Sequence, residues 1–164
     1  MRLTALIFSA VFTLSLSACE KLPVPAEQKE QKQPEDKGQP DDNENTRFMT
    51  MNITAGGKTI TATLADNATA KSLAGKLQSG SVTVEMKANG FEHYGSLGFS
   101  LERRDKQVTA VSGDIMLYNG DNICVFYGSN SWSYTQLGKV DGKSADELKA
   151  FFGTGTVSVT FSLE

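Results

Sequence analysis

Five side chains in glycine-punctuated stretches, Phe91, His93, Tyr94, Trp132 and Tyr134, are the ones whose types could do chemistry. Aromatic rings with one apolar and one wet side, placed beside turns, line grooves for peptides or small ligands. These five form the predicted ligand-binding set. His93, the single histidine, is expected on a polar loop, where an imidazole could touch a peptide or carry a proton. Ser129, Ser131 and Ser133 invite a hydrolase reading, but no G-x-S-x-G elbow surrounds them and one histidine is too little for a triad. Arg103 and Arg104 sit between Glu102 and Asp105, as in a solvated turn. One histidine, with Cys124 as the one thiol beyond the N-terminal region, leaves too few ligands for a zinc or iron site and no intradomain disulfide. The expectation is therefore no catalytic residue, no metal and no cofactor.

The elements that must hold these residues occupy only part of the chain. Met1-Arg2 gives a positive start and Leu3 to Leu16 a mostly apolar run, too short to span about 30 Å of hydrocarbon as a permanent helix. Its end, Leu16-Ser17-Ala18-Cys19, resembles the bacterial lipobox. The resemblance implies a signal peptide over residues 1–18, acylation of Cys19 with palmitate-like chains, and an extracytoplasmic protein lipid-anchored to a bacterial membrane, on the periplasmic side or at the cell surface. Acyl chains hold a protein through about 0.8 kcal/mol per buried methylene. Cys124 then has no partner and is expected to be buried.

Residues 19–47 read as a disordered tether. After Ala26 the stretch alternates Gln, Glu, Lys, Pro and Asp and cannot bury enough surface to offset chain entropy. Roughly 28 such residues reach on the order of 30 Å. All four prolines fall here, whereas 14 of the 15 glycines lie beyond, and this shift marks the boundary of one domain over residues 48–164. The domain carries ten basic and eleven acidic residues, a balance of −1 that argues against nucleic acid as a partner. The membrane, through Cys19, and a peptide or protein ligand are the expected partners.

Within the domain, period-2 alternation dominates. Met49, Met51 and Ile53, the turn Ala55-Gly56-Gly57, and Ile60, Ala62 and Leu64 predict a hairpin. Asp66 and Asn67 can cap a helix of about ten residues whose apolar side is Ala70, Leu73, Ala74 and Leu77. Val82, Val84 and Met86 resume a strand, and Phe91 to Leu101 reads as a loop followed by a strand around Leu97 to Leu101. Strands are predicted at Val108–Val111 and Asp114–Tyr118, a tight turn at Asn119-Gly120, and a strand covered on both faces at Ile123–Tyr127. Trp132 to Val140 gives one or two short strands. Ser144-Ala145-Asp146-Glu147 opens a second helix, and Val157 to Leu163 is a half-buried final strand. Eight or so short strands with two helices predict a mainly β fold, a small closed barrel.

Particular stretches also carry a family likeness. Gly113-Asp114-Ile115-Met116-Leu117-Tyr118, Ile123 to Gly128, and Asn130-Ser131-Trp132-Ser133-Tyr134-Thr135-Gln136-Leu137-Gly138-Lys139-Val140 resemble small bacterial cyclophilin-like domains, as do Gly95 to Leu101 and Asp66 to Ala70. The likeness spans residues 50 to 163 and implies an eight-stranded barrel capped by two helices. It leaves activity open. Cyclophilins isomerise X-Pro bonds with an apolar groove and an arginine that stabilises the prolyl nitrogen. That arginine lies in a Phe-His-Arg segment, where this chain has Phe91-Glu92-His93, and the Gln-Phe-Phe hallmark is not recognisable. A non-catalytic binding module is therefore the leading reading, with prolyl isomerase as the alternative.

Overall fold

The first hairpin forms where the alternation demands it. In a computed structural model, which describes residues 49–164, β1 (Thr50–Ala55) and β2 (Lys58–Leu64) are joined by Gly56 and Gly57 at φ 54° and 76°. Met51, Ile53 and Ala55 of β1 and Ile60, Ala62 and Leu64 of β2 turn inward and are buried. The predicted signal peptide, Cys19 and the predicted tether lie outside the described residues.

Asn67 Oδ1 accepts from the Ala70 N–H at 2.9 Å and so caps α1 (Ala68–Gln78), whose stripe of Ala70, Leu73, Ala74 and Leu77 is buried. Next come β3 (Val82–Ala88), β4 (Glu92–Ser96), β5 (Lys106–Ala110), β6 (Asp114–Tyr118), β7 (Asn122–Phe126) and β8 (Asn130–Val140). The capping box forms as predicted and starts α2 (Ala145–Phe152): Ser144 Oγ accepts from the Glu147 N–H, and the Glu147 carboxylate accepts from the Ser144 N–H. That backbone donor holds the Glu147 carboxyl down at about 2. β9 (Thr156–Leu163) completes the chain.

Eight strands close into an antiparallel ring in the order β2-β1-β9-β3-β4-β7-β6-β8, and β8 returns to β2 through Ala62↔Val140, Thr63↔Lys139 and Leu64↔Gly138. Closure removes two sheet edges. Val84, Met86, Ile115, Leu117, Ile123, Val125, Val159 and Phe161 fill the interior, and each large side chain buried there contributes about 1.5–3 kcal/mol. α1 closes the end where β2 finishes, with Thr69 Oγ1 donating to the Glu102 carbonyl at 2.9 Å. α2 closes the opposite end, where Leu148 and Phe152 are buried.

Three details depart from the sequence reading. The stretch expected as a loop before Leu97 is strand β4, and Leu97 to Asp105, expected to contain a strand, has none. Leu97 and Leu101 are buried, but their N–H groups donate to the carbonyls of Asp121 and Gly120 in the β6–β7 turn. A ninth strand, β5, lies outside the ring and starts at Lys106, two residues before the predicted Val108. Finally, Asn130–Val140 is one continuous strand of 11 residues. It serves two sheets, pairing with β5 through Asn130–Tyr134 and with β6 and β2 beyond.

Candidate functional site

The double duty of β8 builds the site. On β4, β7 and β6, the residues alternating with the interior set point outward, namely Glu92 and Tyr94, Cys124 and Phe126, and Met116 and Tyr118. The first half of β8 and β5 bring Tyr134, Ala110 and Val108 against this outer face, making a second apolar cluster with Met116, Cys124 and Phe126. The continuous apolar run of β7 is explained by this arrangement, since Ile123 and Val125 face the core and Cys124 and Phe126 face the second cluster.

A cavity of about 230 Å³ opens at the edge of that cluster, lined by Asn89, Phe91, Glu92, Tyr118, Asn130, Trp132 and Tyr134. Phe91 stacks on Phe126 with centroids 5.9 Å apart, and Tyr134 meets Phe126 edge-on at 5.6 Å and Tyr118 at 6.1 Å. The Asn130 side-chain amide donates to the Tyr134 hydroxyl at 2.8 Å, which fixes that ring. Trp132, opposite Val108 in the β5–β8 ribbon, is 55% exposed, the largest exposed apolar side chain among the described residues. On the other side of Tyr134 lies a wider groove of about 540 Å³, with Met116 and Val108 on its apolar side and Arg104, Lys106 and Asp114 on its polar side.

Of the five residues singled out from sequence, Phe91, Trp132 and Tyr134 meet in one wall. Tyr94 is on the same face but packs on the second cluster without lining the cavity. His93 is elsewhere. It sits on β4 rather than on a loop, and alternation sends it inward, where it is 0% exposed, stacked on Phe152 at 5.1 Å and 5.6 Å from Tyr127. Its Nε2–H donates to the Gly155 carbonyl at 3.1 Å, burial pushes its pKa down, and it does not line the outer-face cavity.

Glu92, Asn89, Tyr118 and Asn130 were not singled out from the sequence. The signal was present for Glu92: once residues 92–96 are read as a strand, a carboxylate shares a face with Cys124 and Phe126. It is only 6% exposed. The Asn89 side-chain amide donates to Oε1 at 3.2 Å, the Cys124 thiol lies beside the carboxyl, and Oε2 has no hydrogen-bond partner. Burial pushes the Glu92 pKa up, against the pull of Asn89 and Cys124. Cys124, 1% exposed and unpaired, is pushed up in turn by burial and by the neighbouring carboxylate, and so presents little thiolate.

The sign of the resulting pH dependence follows from linkage. In a group whose pKa is higher folded than unfolded, the unfolded chain ionises first, so stability falls as pH rises from the ordinary carboxylate range through the raised value. Urea midpoints measured from pH 4 to pH 8 should therefore decline more in the wild type than in Glu92→Gln. Parallel curves would show that this carboxyl ionises as freely in the fold as out of it.

The sequence model of the Cyclophilin-like family matches residues 53–162, from inside β1 to the last residues of β9. Among solved structures, the one titled "Structure of McbB in complex with tryptophan" is similar at a TM-score of 0.50 and 18% identity, over 70% of this chain and 44% of that one. The chain thus spans less than half of that protein's length, and at this identity the likeness concerns the fold. No curated protein matches the chain in sequence.

Proposed function

The chain belongs to the cyclophilin-like family, and from that premise we propose that it is a lipid-anchored extracytoplasmic binding module whose ligand, a peptide or small molecule, docks on the outer face beside Trp132. The observation that carries this reading is the exposure of Trp132, 55% where the other large apolar rings among the described residues are packed, on the wall of a cavity shared with Phe91, Tyr118 and Tyr134. A ring kept in water at the mouth of an aromatic pocket gains free energy only when something covers it. Trp132 is also the only tryptophan, so its emission reports on this place alone. Titration with proline-containing peptides or periplasmic extract fractions should shift the emission to the blue. By calorimetry, Trp132→Ala should weaken the same ligand by about 30-fold, as for a hot spot worth about 2 kcal/mol. Emission already blue in the free protein and unmoved by every candidate would remove the site.

The anchor rests on the lipobox-like Leu16-Ser17-Ala18-Cys19 after its short apolar run. A palmitate analogue fed to cells should label the wild type and not Cys19→Ala, which should also leave the membrane fraction. Equal labelling and equal solubility of the two would overturn the anchor.

Prolyl isomerisation is favoured by one observation, that Arg104 reaches the wider groove beside Met116 and Tyr134. Glu102 already holds its guanidinium at 2.8 Å, which weakens it as a free donor. An NMR exchange assay on an Ala-Pro peptide is expected to show no acceleration. Turnover abolished by Arg104→Ala would reverse the ranking.

A further inference from the structure

The 230 Å³ cavity has an uneven chemistry. Its walls are the rings of Phe91, Tyr118, Trp132 and Tyr134, its charged member is Glu92, and no basic side chain lines it. Arg104 and Lys106 lie on the groove across Tyr134. The Tyr134 hydroxyl is engaged by Asn130 and Glu92 Oε1 by Asn89. Glu92 Oε2 is buried with no hydrogen-bond partner within normal distance, and the Cys124 thiol lies beside the same carboxyl. A carboxyl oxygen taken from water and left unpaired is costly, and folded proteins tolerate one where a ligand completes it. A carboxylate among π faces selects for positive charge with N–H groups.

We propose that this cavity recognises an organic ammonium group, with the Glu92 carboxyl, ionised in the complex, as its counter-charge and the aromatic rings facing its charge. The inference rests on the docking site beside Trp132 and names the chemistry of what docks there. Its volume is below the roughly 300–1,000 Å³ of drug-sized sites, which suits a head group with a few methylenes: a lysine side chain or a free alkylamine.

The test uses the full chain, with Trp132 emission and calorimetry as readouts, and compares n-butylammonium with n-butanol. These differ in the charged head alone. The ammonium should bind about tenfold or more tightly than the alcohol. Glu92→Gln should erase that preference while leaving the alcohol unchanged. Comparing the two ligands on the wild type needs no variant, so the result stands even if Glu92→Gln fails to fold. A peptide carrying one internal lysine, blocked at its N-terminus, separates the sources: tighter binding than butylammonium assigns the site to a protein lysine, weaker binding to a free amine. Equal affinity for ammonium and alcohol overturns the proposal, and so does an ammonium preference that survives Glu92→Gln in a folded variant. If neutral or proline-containing ligands still shift Trp132 in that case, the docking site stands and only its ammonium chemistry falls.

Discussion

Phe126→Ala is expected to lower stability by about 3–5 kcal/mol, a large share of the roughly 5–15 kcal/mol that holds a domain of this size. Phe126 is 0% exposed although its ring lies outside the closed ring of strands. It is stacked on Phe91 and met edge-on by Tyr134, contacts that add to simple burial. Tyr134 belongs to β8 and Phe91 to the entry of β4, so removing Phe126 takes away the surface on which the β5–β8 ribbon rests. The urea midpoint should fall with little change in slope, and the near-ultraviolet signal of Trp132 should lose intensity in the folded state. A loss below about 1 kcal/mol would mean that the ribbon does not pack on this face.

Gly138→Ala is expected to cost about 3 kcal/mol, at the upper end of what overpacking does, because the clash is with backbone rather than a movable side chain. A Cβ on Gly138 would stand 2.5 Å from the Thr63 carbonyl oxygen and 3.2 Å from Leu64 Cα. That is the seam where the ring closes. It has three paired positions, extended by the hydrogen bonds from the Ala65 N–H to the Leu137 carbonyl and from the Asp141 N–H to the Thr61 carbonyl, both 2.9 Å. Gly57→Ala supplies the control, since space around Gly57 is open and only its φ of 76° opposes a side chain, which costs on the order of 1 kcal/mol. Urea midpoints of the two variants should differ accordingly. Equal losses would show that the seam opens without consequence.

Where local chemistry was sufficient, the sequence could be read directly. Ser144 and Glu147 form their capping box, Asn67 caps α1, and Asn119 and Gly120 take φ values of 52° and 86° in the β6–β7 turn. Each needs only a few neighbouring residues. The stretch from Phe91 to Leu101 misled because Gly95 and Gly98 punctuate it as in a loop, yet they differ in kind. Gly98 has a φ of 78°, which favours glycine. Gly95 is in an ordinary strand conformation, and a Cβ there would come within 2.6 Å of Val84 Cγ1 and of the Glu85 carbonyl oxygen. A glycine required by a neighbouring strand cannot be told in sequence from one required by its own backbone.

By itself the sequence determined the mainly β character, the two helices and their caps, and the family likeness, because alternation, capping and turn chemistry act between near neighbours. It also placed Phe91, Trp132 and Tyr134 among aromatics able to line a groove. Only the tertiary structure decided which aromatics share a wall. His93 and Phe91 are two residues apart, but the chain enters β4 between them, and β4 sends His93 into the core against Phe152 while Phe91 stacks on Phe126 outside. Trp132 comes to the same cavity because β8 runs past the end of its pairing with β6 to pair with β5. Glu92 gained its meaning last, since a carboxylate in a list of residues is a solvated charge until long-range strand pairing buries it beneath aromatic rings and leaves one oxygen without a donor.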